Sequence, residues 1–173
     1  MEIKMKFLIV VDMQNDFITG ALGSKDAEAI VPRVTKKVQE FDGKVIFTMD
    51  THGENYLETQ EGKKLPVAHC IKGTDGWQIA DALSPYAETV VEKPTFGSTA
   101  LPELISSFGE EIKEIELCGL CTDICVISNA MLLKAAFPEA RITVDGAASA
   151  GTTPESHNTA LAAMRAVQIE IKA

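Results

Sequence analysis

The stretch Phe7-Leu8-Ile9-Val10-Val11-Asp12-Met13-Gln14-Asn15-Asp16-Phe17 decides the fold. It opens on a continuous apolar run from Phe7 to Val11 that is too short for a helix, and so predicts a strand buried on both faces. The residues that follow provide the partners. An exposed-face helix is predicted over 27–41, with Pro32 in its early turns, and further strands over 44–49, 89–92, 112–118, 141–144 and 166–171. Helical patterns fall between them at 101–108, 123–137 and 154–164, the last with Thr153 as N-cap and Pro154 at the first helical position. Strand and helix alternate throughout. The pattern predicts an α/β fold with a mainly parallel sheet covered by helices on both faces. With no repeat or linker, residues 1–173 read as one domain. One segment breaks the rhythm. Residues 51–76 are polar and hold two of the three histidines, and a connection that long usually serves a site.

The bulk numbers exclude more than they identify. A chain of 173 residues buries roughly 70% of its unfolded surface, and 46% hydrophobic with 24% charged residues is an ordinary globular balance. The formal net charge of −9 has the wrong sign for a free-standing binder of nucleic acid or anionic membrane, and suits a small neutral or cationic substrate. No run of about 18 apolar residues predicts a membrane-spanning helix. The start Met1-Glu2-Ile3-Lys4-Met5-Lys6 leads to no small-residue cleavage site, so a cytoplasmic setting is expected, where the four cysteines stay reduced.

Chemistry collects at three predicted strand ends: Asp12 after the first, Lys93 after Val90-Val91-Glu92, and Cys118-Gly119-Leu120-Cys121-Thr122-Asp123-Ile124-Cys125 after a later one. Ligands of open α/β sheets bind beyond the carboxyl ends of the strands, so the three can meet at one mouth. Cys125 lies in the opening turn of a helix, where the helix dipole and a nearby lysine lower a thiol's pKa. Uncommitted backbone N–H groups around Cys121 and Cys125 suit an oxyanion. Taken singly, each residue has a plainer reading: an inert buried cysteine, which local facts favour, a turn-capping Asp12, and a solvated Lys93. For capping, Asp16 is the better candidate.

Together these segments resemble the isochorismatase-like cysteine hydrolases, whose marks are Asp-x-Gln-Asn-Asp-Phe after the first strand (Asp12 to Phe17), a Lys after a central strand (Lys93), and Gly-x-x-Thr-Asp-x-Cys-Val (Gly119 to Val126). The resemblance covers nearly the whole chain, in order. It implies a three-layer α/β/α sandwich, a catalytic triad of Asp12, Lys93 and Cys125, an oxyanion hole from the N–H groups of Cys121 and Cys125, and a cis peptide at Leu120–Cys121. Asp50-Thr51-His52 with the later His69 resembles the nicotinamidase/pyrazinamidase branch. That implies one divalent ion, Zn²⁺ or alternatively Fe²⁺ or Mn²⁺, beside a pocket walled by Phe17 and Ile124.

Two departures stand out. Where many members of the branch have another histidine, this chain has Glu58, the candidate fourth ligand, with Glu61 the alternative. Where an aromatic often precedes the last histidine it has Pro66, and Trp77 lies further on. The reaction implied is hydrolysis of nicotinamide, and of pyrazinamide, through a thioester. The alternatives are an amidase for a ureido or N-carbamoyl compound, and a non-catalytic binding protein on the same scaffold. Family habit implies a homo-oligomer. Three lesser readings remain: a thiol site from Cys118-x-x-Cys121 with Cys125 and Cys70, an anion cradle at Gly151-Thr152-Thr153-Pro154, and a structural His157.

Overall fold

The computed structural model describes residues 4–109 and 111–173. In chain order, β1 (Lys4–Val11) precedes a short α1 (Asn15–Ile18) and a long α2 (Lys25–Glu40). After β2 (Lys44–Asp50), an extended loop with the small helix α3 (Gln60–Lys64) leads to β3 (Val90–Lys93). Then come α4 (Ala100–Ser107), β4 (Glu111–Leu120), a π-helical turn (Thr122–Val126) continuing into α5 (Ile127–Ala136), β5 (Arg141–Ala150), α6 (Pro154–Ala166) and β6 (Glu170–Lys172). All six strands pair in parallel, in the order β3-β2-β1-β4-β5-β6.

The strand period of two divides the Phe7–Val11 run between two cores. Phe7, Ile9 and Val11 pack with Leu101 and Ile105 of α4, Leu133 of α5 and Met164 of α6. Leu8 and Val10 face the other way, against Ala27, Ile30, Val34 and Val38 of α2. The result is the expected three-layer sandwich, and both layers explain why the β1 run carries no polar residue. Among the described residues, no helix is long and apolar enough to cross a membrane.

Boundaries moved where local chemistry was ambiguous. The strand expected over 166–171 shrinks to Glu170–Lys172, because the alanine-rich helix α6 runs on to Ala166. β5 extends past Val144 to Ala150, its later half disguised by Asp145, Gly146 and Ser149. The helix expected over 123–137 begins as the π-helical turn. Thr153 does cap α6, accepting from the Ser156 N–H at 3.0 Å.

Strand order reverses beside β1, which pairs β2 on one side and β4 on the other, so the carboxyl ends of β1 and β4 form a topological switch point. Gly119 permits their close approach. Its φ is +114°, and a Cβ there would collide with the Val11 backbone.

Candidate active site and metal centre

The three strand-end residues converge. Lys93, the last residue of β3, reaches Asp12 just beyond β1, with Nζ 2.7 Å from Oδ2. The same ammonium donates to Cys125 Sγ at 3.5 Å and to the Thr95 carbonyl at 3.1 Å. Asp12 and Lys93 are 0% and 1% exposed, and Cys125 is 5% exposed. Asp12 has φ +47°, a left-handed conformation rare outside glycine and typical of functional sites held by their surroundings. Thr48 supplies part of that hold: its hydroxyl donates to Asp12 Oδ1 at 2.7 Å and accepts from the Asp12 N–H at 3.2 Å. Among the described residues, Asp12 Oδ2 has no hydrogen-bond partner of good geometry despite its contact with Lys93. It retains an acceptor position for a proton.

Burial raises the Asp12 pKa, with Lys93 opposing and Asp50 assisting. Burial would lower the Lys93 pKa, but Asp12, Cys125 and Asp50 overrule it and keep the ammonium charged. Burial, then Asp12, also pushes the Cys125 thiol well above its ordinary range, with Lys93 opposing. Lys93 favours the thiolate, as the sequence suggests, while burial opposes it more strongly, and the same burial makes the Asp12 carboxylate more basic than usual.

A second cluster adjoins the first. Asp50 ends β2, and its Oδ1 lies 3.7 Å from Lys93 Nζ. Its Oδ2 lies 3.0 Å from His52 Nε2 and 3.4 Å from His69 Nε2, and His52 Nε2 is 3.1 Å from Glu61 Oε2. Asp50, His52 and His69 each offer a ligand atom within 4.8 Å of the others. His69 Nδ1 faces the Val67 carbonyl at 2.7 Å and must donate to it, so a neutral ring points its Nε2 lone pair at a carboxylate. Asp50 Oδ1 and both Glu61 oxygens are buried without hydrogen-bond partners among the described residues. Lone pairs and carboxylates aimed at one another need a cation, and carboxylate with imidazole is a donor set for Zn²⁺, Fe²⁺ or Mn²⁺. The residues fit such an ion.

Glu58 does not join them. It sits exposed on a single 3-10 turn, Tyr56–Glu58. Thr59 then caps α3 by accepting from the Gly62 N–H at 3.0 Å, and this start turns Glu61 inward beside buried Gly62. Of the two glutamates, the alternative Glu61 lies beside His52 and Glu58 lies away from it.

Both clusters open on one cavity of about 400 Å³, lined by Cys125, His69 and Glu61 together with Phe17, Ile124 and Phe96. That volume falls in the range of small-molecule sites. Phe17 and Ile124 are therefore where the pocket needs them, and Cys121 also lines it. Pro66 is exposed, and Trp77 instead donates from its indole to Thr51 Oγ1 at 2.9 Å, at the base of the loop. The Leu120–Cys121 peptide is cis.

The isochorismatase domain model matches residues 6–172. The chain belongs to the isochorismatase family. It is 32% identical to the uncharacterized isochorismatase family protein PncA of Bacillus subtilis (strain 168), over 90% of this chain and 92% of that one. It is 28% identical to a nicotinamidase of Schizosaccharomyces pombe, over 95% and 91%. The pyrazinamidase of Pyrococcus horikoshii, solved in complex with zinc, superposes with a TM-score of 0.83 at 27% identity, over 96% and 97%.

Several residues of this isochorismatase-family site escaped the sequence reading. Gln14 brackets Asp50, its Nε2 donating to the Asp50 carbonyl and its Oε1 accepting from the Asp50 N–H, both at 2.8 Å. Asp16 caps no helix; its Oδ2 accepts from the Cys70 N–H at 2.7 Å, beside His69. Both stand inside the motif that contains Asp12, and their spacing was the available signal. The thiol site fails: Cys118 and Cys125 belong to cores on opposite faces of the sheet, and the four cysteines are free. The anion cradle is filled by Asp123, which accepts from the Thr152 N–H and hydroxyl at 2.9 and 2.7 Å. His157 bonds Thr122 Oγ1 through Nδ1 at 2.7 Å, a structural contact as expected.

Proposed function

We propose that the chain is a cysteine-dependent amidohydrolase that converts nicotinamide to nicotinate and ammonia, and acts likewise on pyrazinamide. The observation that carries this reading is the buried Lys93 ammonium, in contact with the Asp12 carboxylate and with the sulfur of Cys125, which lines the shared cavity. The nicotinamidase and zinc-bound pyrazinamidase relatives support the substrate and the metal. The acidic surface and free thiols support a cytoplasmic domain without nucleic-acid or membrane partners.

Asp12 accepts the Cys125 proton as the sulfur attacks the carboxamide carbon. The Cys121 carbonyl accepts from the Ile124 and Val126 N–H groups at 3.0 and 3.1 Å, and the Cys121 and Cys125 N–H groups, which take no part in those bonds, suit the developing oxyanion. Asp12 returns its proton to the departing nitrogen, which leaves as ammonia, and a thioester remains on Cys125. Water then gives a proton to Asp12 and its hydroxyl to the acyl carbon; nicotinate departs and the sulfur regains the proton. Lys93 holds the Asp12 and Cys125 charges in balance throughout. Asp50, His52 and His69, with Glu61 beside His52, would hold a divalent ion, zinc by analogy. That ion, when bound, supplies a coordination point for the substrate's ring nitrogen, directly or through water.

Ammonia release from nicotinamide and pyrazinamide, by metal-loaded native protein and Cys125→Ala, tests this. The native protein should turn over, and the variant should be slower by at least about 10⁴-fold. No release by the native protein retires the nicotinamide reading; equal release by the variant retires the thioester route.

A further inference from the structure

We propose that Asn129 is a positioning residue that locks the nucleophile's turn to the segment following the catalytic lysine and, through Phe96, to the wall of the substrate cavity. The proposal rests on the amidohydrolase reading and deepens it. Asn129 lies in α5, four residues beyond Cys125, and is fully buried. Its carboxamide is shared between two segments. Nδ2 donates to the Cys125 carbonyl at 2.8 Å and to the Phe96 carbonyl at 3.1 Å, while Oδ1 accepts from the Ser98 N–H at 2.9 Å. Two carbonyls on one side and an N–H on the other admit a single orientation of the amide.

The gripped segment carries function at each end. Lys93 closes β3 and donates to the Thr95 carbonyl. Phe96 lines the cavity although it is 41% exposed. Ser98 Oγ accepts from the Leu101 N–H at the start of α4, at 3.2 Å. Between the anchored residues, Gly97 approaches α5 so closely that a Cβ would meet the Leu132 methyl at 2.7 Å. Residues 94–98 form no helix or strand, so their backbone depends on side-chain ties for its place. A buried amide is costly unless every group is satisfied, and here satisfaction comes from the backbone of the nucleophile and of the pocket wall. The one side chain therefore sets the spacing between the sulfur, the segment beyond the ammonium and the substrate's ring.

Two substitutions divide these functions. In Asn129→Thr the hydroxyl can still bond the carbonyl four residues back, that of Cys125, but cannot reach Phe96 and Ser98. Asn129→Asp keeps an acceptor for Ser98 and loses both donations. Four quantities are measured on each folded, metal-loaded protein: the Tm, kcat and KM for ammonia release from nicotinamide, and the rate at which iodoacetamide alkylates Cys125 without substrate. Asn129→Thr should keep kcat within about threefold while KM rises about fivefold, and Asn129→Asp should lose about 10²-fold in kcat and alter the alkylation rate several-fold. The proposal is overturned if both variants match the native protein in all three kinetic readouts, or lose activity only in proportion to unfolded protein. It is overturned equally if Asn129→Thr loses kcat and keeps its KM. Should native protein release no ammonia, the amidohydrolase reading fails, and the alkylation rates still decide the positioning role. Should Asn129→Asp not fold, Asn129→Thr carries the same decision.

Discussion

The proposed catalytic trio and the proposed metal cluster touch, with Lys93 3.7 Å from Asp50, yet they are held in different ways. Asp12, Lys93 and Asp50 stand at strand ends, where parallel ladders pin the backbone, as β2 and β3 pair from Phe47↔Val90 to Asp50↔Lys93. His52, Glu61 and His69 belong to the loop after β2, which has only short helices and borrows its order from Gln14, Asp16 and Trp77. The sheet ladders position Asp12, Lys93 and Asp50 by backbone pairing. The loop gathers imidazoles and carboxylates, and among the described residues both Glu61 oxygens are buried without hydrogen-bond partners, so an ion bound there would contribute to its stability directly.

The largest expected effect tests the sheet side. Lys93→Met removes the cation that balances buried Asp12, and breaking such a pair costs about 3–5 kcal/mol. Burial already raises the Asp12 pKa, and without Lys93 the carboxyl becomes protonated and cannot accept the Cys125 proton. Urea unfolding should report the destabilisation, and kcat should fall roughly 10³-fold. A variant retaining activity within about tenfold would mean that Asp12 keeps its charge by other means, and the balance assigned to Lys93 would be wrong.

The next effect belongs to the loop. Glu61→Gln should weaken metal affinity about 10–100-fold in a chelator competition, while Glu58→Gln leaves it unchanged. Both should leave iodoacetamide labelling of Cys125 unaltered, since the sheet side does not depend on them. The opposite ranking would restore the ligand read from the sequence; a change in labelling would dissolve the distinction between the two regions.

The same distinction explains what the sequence could disclose. An apolar run such as Phe7 to Val11 reads as a buried strand, and a polar residue directly after it can reach the mouth, so Asp12, Lys93 and Cys125 could be brought together from strand ends, although each taken singly had a plainer reading. Asp50 and His52 shared that advantage by adjoining β2. Glu58 and Glu61 did not. They lie three residues apart in a polar loop, and which one turns inward depends on Thr59 starting a new helix between them, a local hydrogen bond that no periodicity announces. Gln14, Asp16 and Asn129 were harder to read for a related reason: each bonds backbone at least 31 residues away, and a side chain's bonds to distant carbonyls and N–H groups are not written in its neighbours. At Cys125 the helix end and the lysine are visible in sequence, whereas burial, which pushes the thiol the other way, is a property of the packed core.

The smallest effect concerns the outer tie of the nucleophile's turn, the bond between Thr122 and His157. Burial lowers the His157 pKa from its usual 6.5, against the pull of Asp123 and Asp26. The folded ring therefore binds its proton more weakly than the unfolded one. Its contribution to stability is complete above pH 6.5 and is lost as pH falls through the lower folded value. Once protonated, the ring can only donate through Nδ1 to the Thr122 hydroxyl. The ring is partly exposed, so solvent screening should hold the loss between pH 7.5 and pH 5.5 below about 1 kcal/mol. Urea unfolding at the two pH values should show that increment in the native protein and not in His157→Gln, with kcat at pH 7.5 nearly equal in both. A much larger loss, accompanied by a fall in kcat, would make α6 rather than the sheet the support on which Cys125 depends, and the trio would then be no more rigidly held than the metal loop beside it.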